Sequence, residues 1–307
     1  METSREVYGR TLVEIARENP AVVALDADLS GSNRSALLKE VFPERFFEMG
    51  IAEQNMVAAA VGLSLVGKIP FVHSFVPFLV GRAYDQIRVG VAIGNANVKL
   101  IGMSCGLSDY GDGSTHQSVE DIALMRALPN MTVVVPADAV EMAKAAKFAA
   151  EHVGPVYIRV TRASDPVYFP EGDAFTLGKI LEFRDGKDIT IMACGSMAGV
   201  AVEAAKNLAN EGISATVANV STIKPLNVLA VRALARKTGR VLTVEEHSVI
   251  GGLGSAVCEA LDGETGIVIK RVGIPDKFGQ SASSHESLLA YYGLTAGHLS
   301  EYVRQML

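Results

Sequence analysis

"MTVVVPADAVEMAKAAKFAAEHVGPVYIRV", residues 131–160, reads as a strand, a helix and a second strand. The β-branched run at 131–135 ends at a proline, and Asp138 then stands where a side-chain oxygen can cap the helical pattern of 138–151. The apolar run 155–160 closes the unit. Working outward, the same alternation recurs with "AVVAL" (21–25), "KIPFV" (68–72) and "NVKLIGM" (97–103) before it. After it come "DITIMAC" (188–194), "SATVANV" (214–220), "RVLTVEE" (240–246) and "GIVIKRVG" (266–273). Near-continuous apolar strands separated by helices imply parallel sheets covered on both faces. The expected fold is α/β, with two parallel-sheet α/β domains at 1–165 and 188–307 and a polar, proline-bearing linker at 166–187.

The chain has 307 residues, 49% of them hydrophobic, which is ample for two domains with cores of their own. Its net charge is −6 and it has no cluster of lysine and arginine, which argues against a nucleic-acid or anionic-membrane surface. The segment "METSREVYGR" lacks the apolar core of a signal peptide, and no apolar run is long enough to span a bilayer. Cys105, Cys194 and Cys258 are too scattered for a disulfide framework or a metal site. No metal ligand is expected from this chain, and a reducing, cytoplasmic setting is.

In open parallel sheets, ligands collect outside the carboxyl ends of the strands. After "NVKLIGM" runs "SCGLSDYGDGSTHQSVED", 104–121, long and polar for a connector, with Asp112 and His116 ahead of a helix expected near Ser118. A solvated loop with turn glycines is the competing account. After "KIPFVHS" comes "FVPFLVGRAYDQIR", with Phe75 and Phe78, which burial tendency alone assigns to a core. A third segment, "GIAEQNMVAAAVGLSL", 50–65, fits a helix buried on most sides, with Glu53 in its first turn and no lysine or arginine near it in sequence. A first-turn carboxylate can serve the helix dipole, but that role works equally well exposed. A carboxyl group short of water can instead hold or share a proton near neutrality.

"GIAEQNMVAAAVGL", "PFVHSFVPFLVGRAYDQIR" and "GDGSTHQSVEDIALMRALPNMTVVVPAD", in this order and spacing, resemble the transketolase family. More narrowly, they resemble the carboxyl-terminal two-thirds of a thiamine-diphosphate transketolase. "STIKPLN", "GRVLTVEEH", "GGLGSAV" and "IPDKFGQSASSHESLLAYYGLT" extend the resemblance over essentially the whole chain. It implies a thiamine-diphosphate-binding pyrimidine domain followed by a transketolase C-terminal domain. Glu53 stands at the family's glutamate that hydrogen-bonds the aminopyrimidine ring. That contact favours the imino tautomer, which takes the thiazolium proton; the resulting ylide attacks a ketose and passes a two-carbon ketol unit to an aldose. Phe78 lands on the aromatic that packs against the pyrimidine, with Phe75 beside it.

By the same resemblance, His116 matches a histidine that contacts the donor's hydroxyl groups and can move protons at the ketol oxygen. Glu53 and His116 are therefore the expected catalytic pair. Asp112 matches a carboxylate that reads hydroxyl configuration. Arg5, Ser32 and Arg162 coincide with positions that grip the sugar phosphate, work suited to a planar guanidinium. Ser104 is a departure, since many transketolases carry there a histidine of the acceptor-phosphate end. The anion grip is expected to be weaker or differently shaped, leaving a different ketose open. His73 falls in the cofactor loop, where relatives tend to carry a small residue. His152, His247, His285 and His298 are expected at the surface or in caps.

The family's metal and diphosphate cradle lie in an amino-terminal domain with a "GDG" and a later asparagine. Here the "GDG" at 111–113 belongs to the substrate loop and Asn130 follows too closely. The resemblance thus implies half an enzyme. Thiamine diphosphate, with Mg2+ or a similar divalent cation, is expected to be completed by a partner, an N-terminal transketolase subunit. The expected assembly is a heterotetramer acting on sugars or sugar phosphates. "GGLGSA", 251–256, does not complete a dinucleotide fingerprint, and the acidic "VEEH" before it suits a phosphate poorly; it is expected to start a helix and pack at an interface. Three alternatives stay open. The beta chain of a thiamine-dependent 2-oxo-acid dehydrogenase is disfavoured by "GDGSTHQ". Deoxyxylulose-phosphate synthase normally carries both domains in one chain. A non-catalytic regulatory homologue has no reason to keep Glu53, Phe78, Asp112 and His116 together.

Overall fold

A computed structural model describes residues 3–163, 166–172 and 174–307; Met1 and Asp165, the expected ends of the first domain, lie outside them. The first part supplies β1 (Val22–Asp26), β2 (Phe46–Glu48), β3 (Ile69–Phe75), β4 (Lys99–Met103), β5 (Thr132–Val134) and β6 (Val156–Val160). The second supplies β7 (Leu181–Arg184), β8 (Ile189–Ala193), β9 (Ala215–Asn219), β10 (Thr222–Lys224), β11 (Arg240–Ser248) and β12 (Val268–Ile274). Two sheets result, ordered β10-β5-β6-β4-β3-β1-β2 and β12-β11-β8-β9-β7. Every residue of β1, β4, β6, β8 and β9 is buried, as continuous apolar strands between helical layers require.

The sheets are parallel as expected, apart from one antiparallel strand at an edge of each. β10 runs antiparallel to β5, and β7 antiparallel to β9. β7 also lies within the stretch 166–187 expected as linker. β10 leaves the second part of the chain and completes the sheet of the first, so the two parts share more than a surface. Val133 and Val135 join Met192, Ala218, Val220 and Ile223 in one apolar cluster.

Asp138 caps the helix Ala139–Glu151 as expected, its Oδ1 accepting from the backbone N–H of Val140 and Glu141 at 3.0 and 2.9 Å. Its Oδ2 accepts from Tyr168 and Phe169 N–H, both at 2.7 Å, and so ties the crossing segment to the first sheet. The helix Glu53–Leu65 differs from expectation. Glu53, Met56, Val57 and Ala60 are buried, but Ile51, Ala58, Gly62 and Leu65 are exposed. It is apolar on nearly all sides yet covered on one. Among the described residues no helix is long and apolar enough to cross a membrane.

Candidate active site

The carboxyl ends of β1, β3, β4 and β6 open on one side of the first sheet, and the loops after them build the site. β3 ends at Phe75, and Pro77–Arg82 continues as a widened π-helical turn. That turn sends Phe78 and Arg82 the same way, with the Arg82 guanidinium carbon 4.9 Å from the Phe78 ring centroid. Phe75 and Phe78 stack at 6.2 Å and 21°, and the His116 ring meets Phe78 edge-on at 5.1 Å and 80°. Glu53 enters this group from its helix N-terminus. Its side chain is 1% exposed, and Oε2 accepts from Arg82 Nη1 at 2.7 Å. No lysine or arginine stands near Glu53 in sequence, and its cation comes from the π-helical turn 29 residues on. The one side-chain hydrogen bond described for this carboxyl is the one from Arg82, to Oε2.

The outer part of the site is polar. Arg162 follows β6, lies 5.8 Å from the Phe75 centroid and pairs with Asp109 at 2.9 Å. Arg5 donates to the Ser32 carbonyl at 3.3 Å. Ser32 sits in a turn shaped by Asp26, whose carboxylate accepts from Leu29 N–H, Asn33 Nδ2 and Ser35 Oγ at 2.7, 3.0 and 2.7 Å. Burial raises the Asp26 pKa despite those bonds. Arg5, Asp112 and Arg162 line one cleft of about 660 Å³, which also receives Asp109, His285 and Glu286. The structure thus gathers Glu53, Phe75, Phe78 and His116 at the inner end and Arg5, Ser32, Asp112 and Arg162 at the outer.

Ser104 follows β4 with a φ of +59°, is 1% exposed, and its buried Oγ has no hydrogen-bond partner among the described residues. His73 is not in a loop, as expected, but on β3, fully buried between Tyr8 OH at 2.6 Å and the Leu25 carbonyl at 3.0 Å. Burial lowers its pKa to about 4, so it is a neutral spacer under the site. His247 and His285 also leave their expected surface places. His247 is fully buried, with a pKa lowered by burial to about 4, and His285 bonds Glu246 at 3.0 Å. His152 does take a cap position, at the C-terminus of the helix Ala139–Glu151, and His298 lies in the first turn of a helix capped by Thr295, whose Oγ1 is 2.7 Å from the His298 ring.

Sequence reasoning missed the buried network beneath the loop. Arg159 donates to both oxygens of Asp121 (2.8 and 3.0 Å) and to the carbonyls of Ser118 and Glu246 (3.3 and 3.0 Å). Tyr157 OH adds a bond to Asp121 at 2.6 Å. Glu246 accepts from Leu107 N–H at 2.6 Å and Ser196 Oγ at 3.0 Å, fastening the loop to the second domain. The helix expected near Ser118 begins at Asp121 because that carboxylate is engaged here. Glu245 caps the helix Leu253–Ala260 through the N–H groups of Leu253 and Gly254, at 2.6 and 2.8 Å. The Glu245 carboxyl thus occupies that helix N-terminus, and "GGLGSA" starts a helix as expected.

The inner end fits an aminopyrimidine: a buried carboxyl lies beside two stacked aromatic rings. A divalent cation finds no such fit, since among the described residues no three His, Cys, Asp or Glu groups converge to hold one. Two α/β sheets thus carry a carboxyl–aromatic group at the strand ends of the first.

Residues 2–166 match the transketolase pyrimidine binding domain and 178–299 the transketolase C-terminal domain. The chain belongs to the transketolase family, and corresponds within it to the carboxyl-terminal subunit of a split transketolase. It is 42% identical over 292 residues to the 6-deoxy-6-sulfo-D-fructose transketolase subunit SqwH of Clostridium sp. (strain MSTE9), covering 95% of this chain and 90% of that one. It is 40% identical over 295 residues to a subunit of the apulose-4-phosphate transketolase of Phocaeicola vulgatus, covering 96% and 94%. Among solved structures, the inactive β4 tetramer of a split-gene transketolase superposes with a TM-score of 0.92 at 46% identity, covering 99% and 98%. The transketolase from Leishmania mexicana superposes with a TM-score of 0.84 at 25% identity, where this chain spans 45% of that one.

Proposed function

We propose that this chain, joined to a second subunit that holds the diphosphate and metal end of thiamine diphosphate, transfers a two-carbon ketol unit from a ketose to an aldose. The observation that carries this is the Glu53 carboxyl, 1% exposed beside the Phe75–Phe78 stack. Thiamine diphosphate, when bound, supplies a carbon nucleophile and an electron sink for carbon–carbon cleavage. Glu53 holds a proton at the pyrimidine ring nitrogen, and Arg82 fixes the carboxyl rotamer from its other oxygen. Phe78 and Phe75 orient the ring. His116 moves a proton at the ketol hydroxyl. Asp112 reads the sugar hydroxyls, and Arg5, Ser32 and Arg162 hold the far end of the substrate.

The bare side of the Glu53 helix supports the need for a partner. Ile51, Leu65 and Val66 are 74%, 80% and 74% exposed, and Ile93 on the neighbouring π-helical segment is 65% exposed. Apolar surface of this kind is covered in stable assemblies. Self-association across a two-fold axis and a heterotetramer follow from the same surface, and cysteines that form no disulfide suit a cytoplasmic setting. Two relatives are named for a sulfonated and a phosphorylated sugar, so kinship leaves the sugar open.

Co-expression with a chain carrying the diphosphate domain is expected to give one assembly that binds thiamine diphosphate with Mg2+ and shows ketol transfer. Tight cofactor binding and full turnover by this chain alone would overturn the half-enzyme reading. Phe78→Ala in the assembly is expected to raise the thiamine diphosphate concentration for half-maximal activity about ten-fold, the loss of one stacking face. A cofactor titration of the variant checks it.

A further inference from the structure

The outer cleft holds two arginines, and they differ in how far they are already engaged. Arg162 is committed: its Nη1 bonds Asp109 Oδ2 at 2.9 Å, and the Asp109 side chain is 4% exposed. Arg5 is differently placed. Its one described side-chain bond is the 3.3 Å contact to the Ser32 carbonyl, and its Nε is buried with no hydrogen-bond partner among the described residues. Arg162 is the first charged neighbour that Arg5 feels, and together with burial it lowers the Arg5 pKa. The two guanidinium groups therefore face the same volume.

Against them stand more carboxylates than a phosphate site needs. Among the described residues lining the cleft, Asp109, Asp112 and Glu286 oppose Arg5 and Arg162, and there is no lysine. His285 lines it too, with Nε2 turned to Glu246. Asp112 sits close enough to Asp109 to raise the Asp109 pKa, adding to the effect of burial and opposing Arg162. Ser104, at the strand end where the resemblance leads one to expect a histidine, brings a buried hydroxyl without a partner among the described residues, and no charge. A phosphate monoester carries close to two negative charges at neutral pH. The charge of Arg162 is already matched by a nearly inaccessible carboxylate, so a phosphate held by both arginines would have to share that cation with Asp109.

We infer that Asp109 is a specificity-determining residue, which holds Arg162 so that the cleft accepts a sugar whose far end carries a single negative charge, such as a sulfonate, in preference to a phosphate. This rests on the ketol-transfer reading and narrows its substrate class. Among the described residues lining the cleft, Arg5 supplies the one guanidinium not paired with a carboxylate, matched to one charge. Asp112 and Glu286 add repulsion that a doubly charged end feels more than a singly charged one.

The test compares three donors that differ only at carbon 6: 6-deoxy-6-sulfofructose, fructose 6-phosphate and fructose. Calorimetric titration into the assembly with its partner subunit reads affinity without requiring turnover. The sulfonate is expected to bind at least about ten-fold more tightly than either competitor. Equal or tighter binding of the phosphate ester, or of fructose, overturns the inference. Asp109→Asn keeps the side chain's shape and releases Arg162, and is expected to shift the phosphate-to-sulfonate affinity ratio about ten-fold or more toward phosphate. An unchanged ratio in a folded variant overturns the role of Asp109. Ketol transfer is assayed separately with the same donors. Its absence from all three overturns the proposed reaction, while the affinity ratios still decide the charge preference.

Discussion

Glu53→Gln is expected to lower kcat for ketol transfer by about 10²–10⁴-fold, the span for losing a positioned proton-transferring group. The amide matches the carboxyl in shape, and its oxygen can still accept from Arg82 Nη1. It cannot hand a proton to a ring nitrogen and take it back. Arg82 is 46% exposed, so water replaces the lost charge and the melting temperature is expected to stay near that of the wild type. Steady-state kinetics at saturating cofactor, with a thermal melt alongside, separates the two effects. A kcat within three-fold of wild type, roughly, would remove Glu53 from the mechanism.

Arg159→Met should do the opposite, costing stability first. It leaves Asp121, 0% exposed, with the Tyr157 hydroxyl as its one short hydrogen bond. It also removes donors from the Ser118 and Glu246 carbonyls. Breaking a buried ion pair on one side costs about 3–5 kcal/mol. Asp121→Leu added to Arg159→Met is expected to recover much of that, because the stranded charge goes with it.

The pH dependence carries a sign. Burial raises the Asp121 pKa, but Arg159 and the hydrogen bonds outweigh it, and the net value lies below the ordinary 3.8. The wild-type contribution is therefore fully present above that value and is lost as pH falls through the depressed one. In Arg159→Met, burial acts without the arginine, so protonation relieves the variant on acidification. The gap between variant and wild type should narrow as pH falls below neutral. Chemical denaturation at several pH values checks this, and a gap that widens would falsify the account.

What the sequence disclosed follows how far each interaction reaches along the chain. The long strands were legible because burial on both faces leaves a run such as 155–160 little choice of residue. β2, β7 and β10 were not, since strands of three or four residues carry little pattern of their own and form here at the outer edges of the sheets. The cap at Asp138 is local and was visible. The partner of Glu53 lies 29 residues away and that of Asp121 lies 38, across strand ends that only the fold brings together. Arg159 passed as one polar letter in an apolar run. His247 and His285 passed as surface residues, because nothing near them in sequence announces Glu246 as a hub. The aromatic pair was spaced for a core and is one, but its outer face is the floor of the site.

β10 gives this chain an indivisible grammar. Thr222 and Lys224, from beyond the crossing segment, close the open side of β5 at Val134 and Val133. A break between the domains would strip that cover and leave β5 as a bare edge of unpaired amides and carbonyls, inviting pairing with other chains. A seam near residue 175 is therefore poorly tolerated, as is one ahead of residue 22, which would take Arg5 and Tyr8 away with the helix Ser4–Glu18.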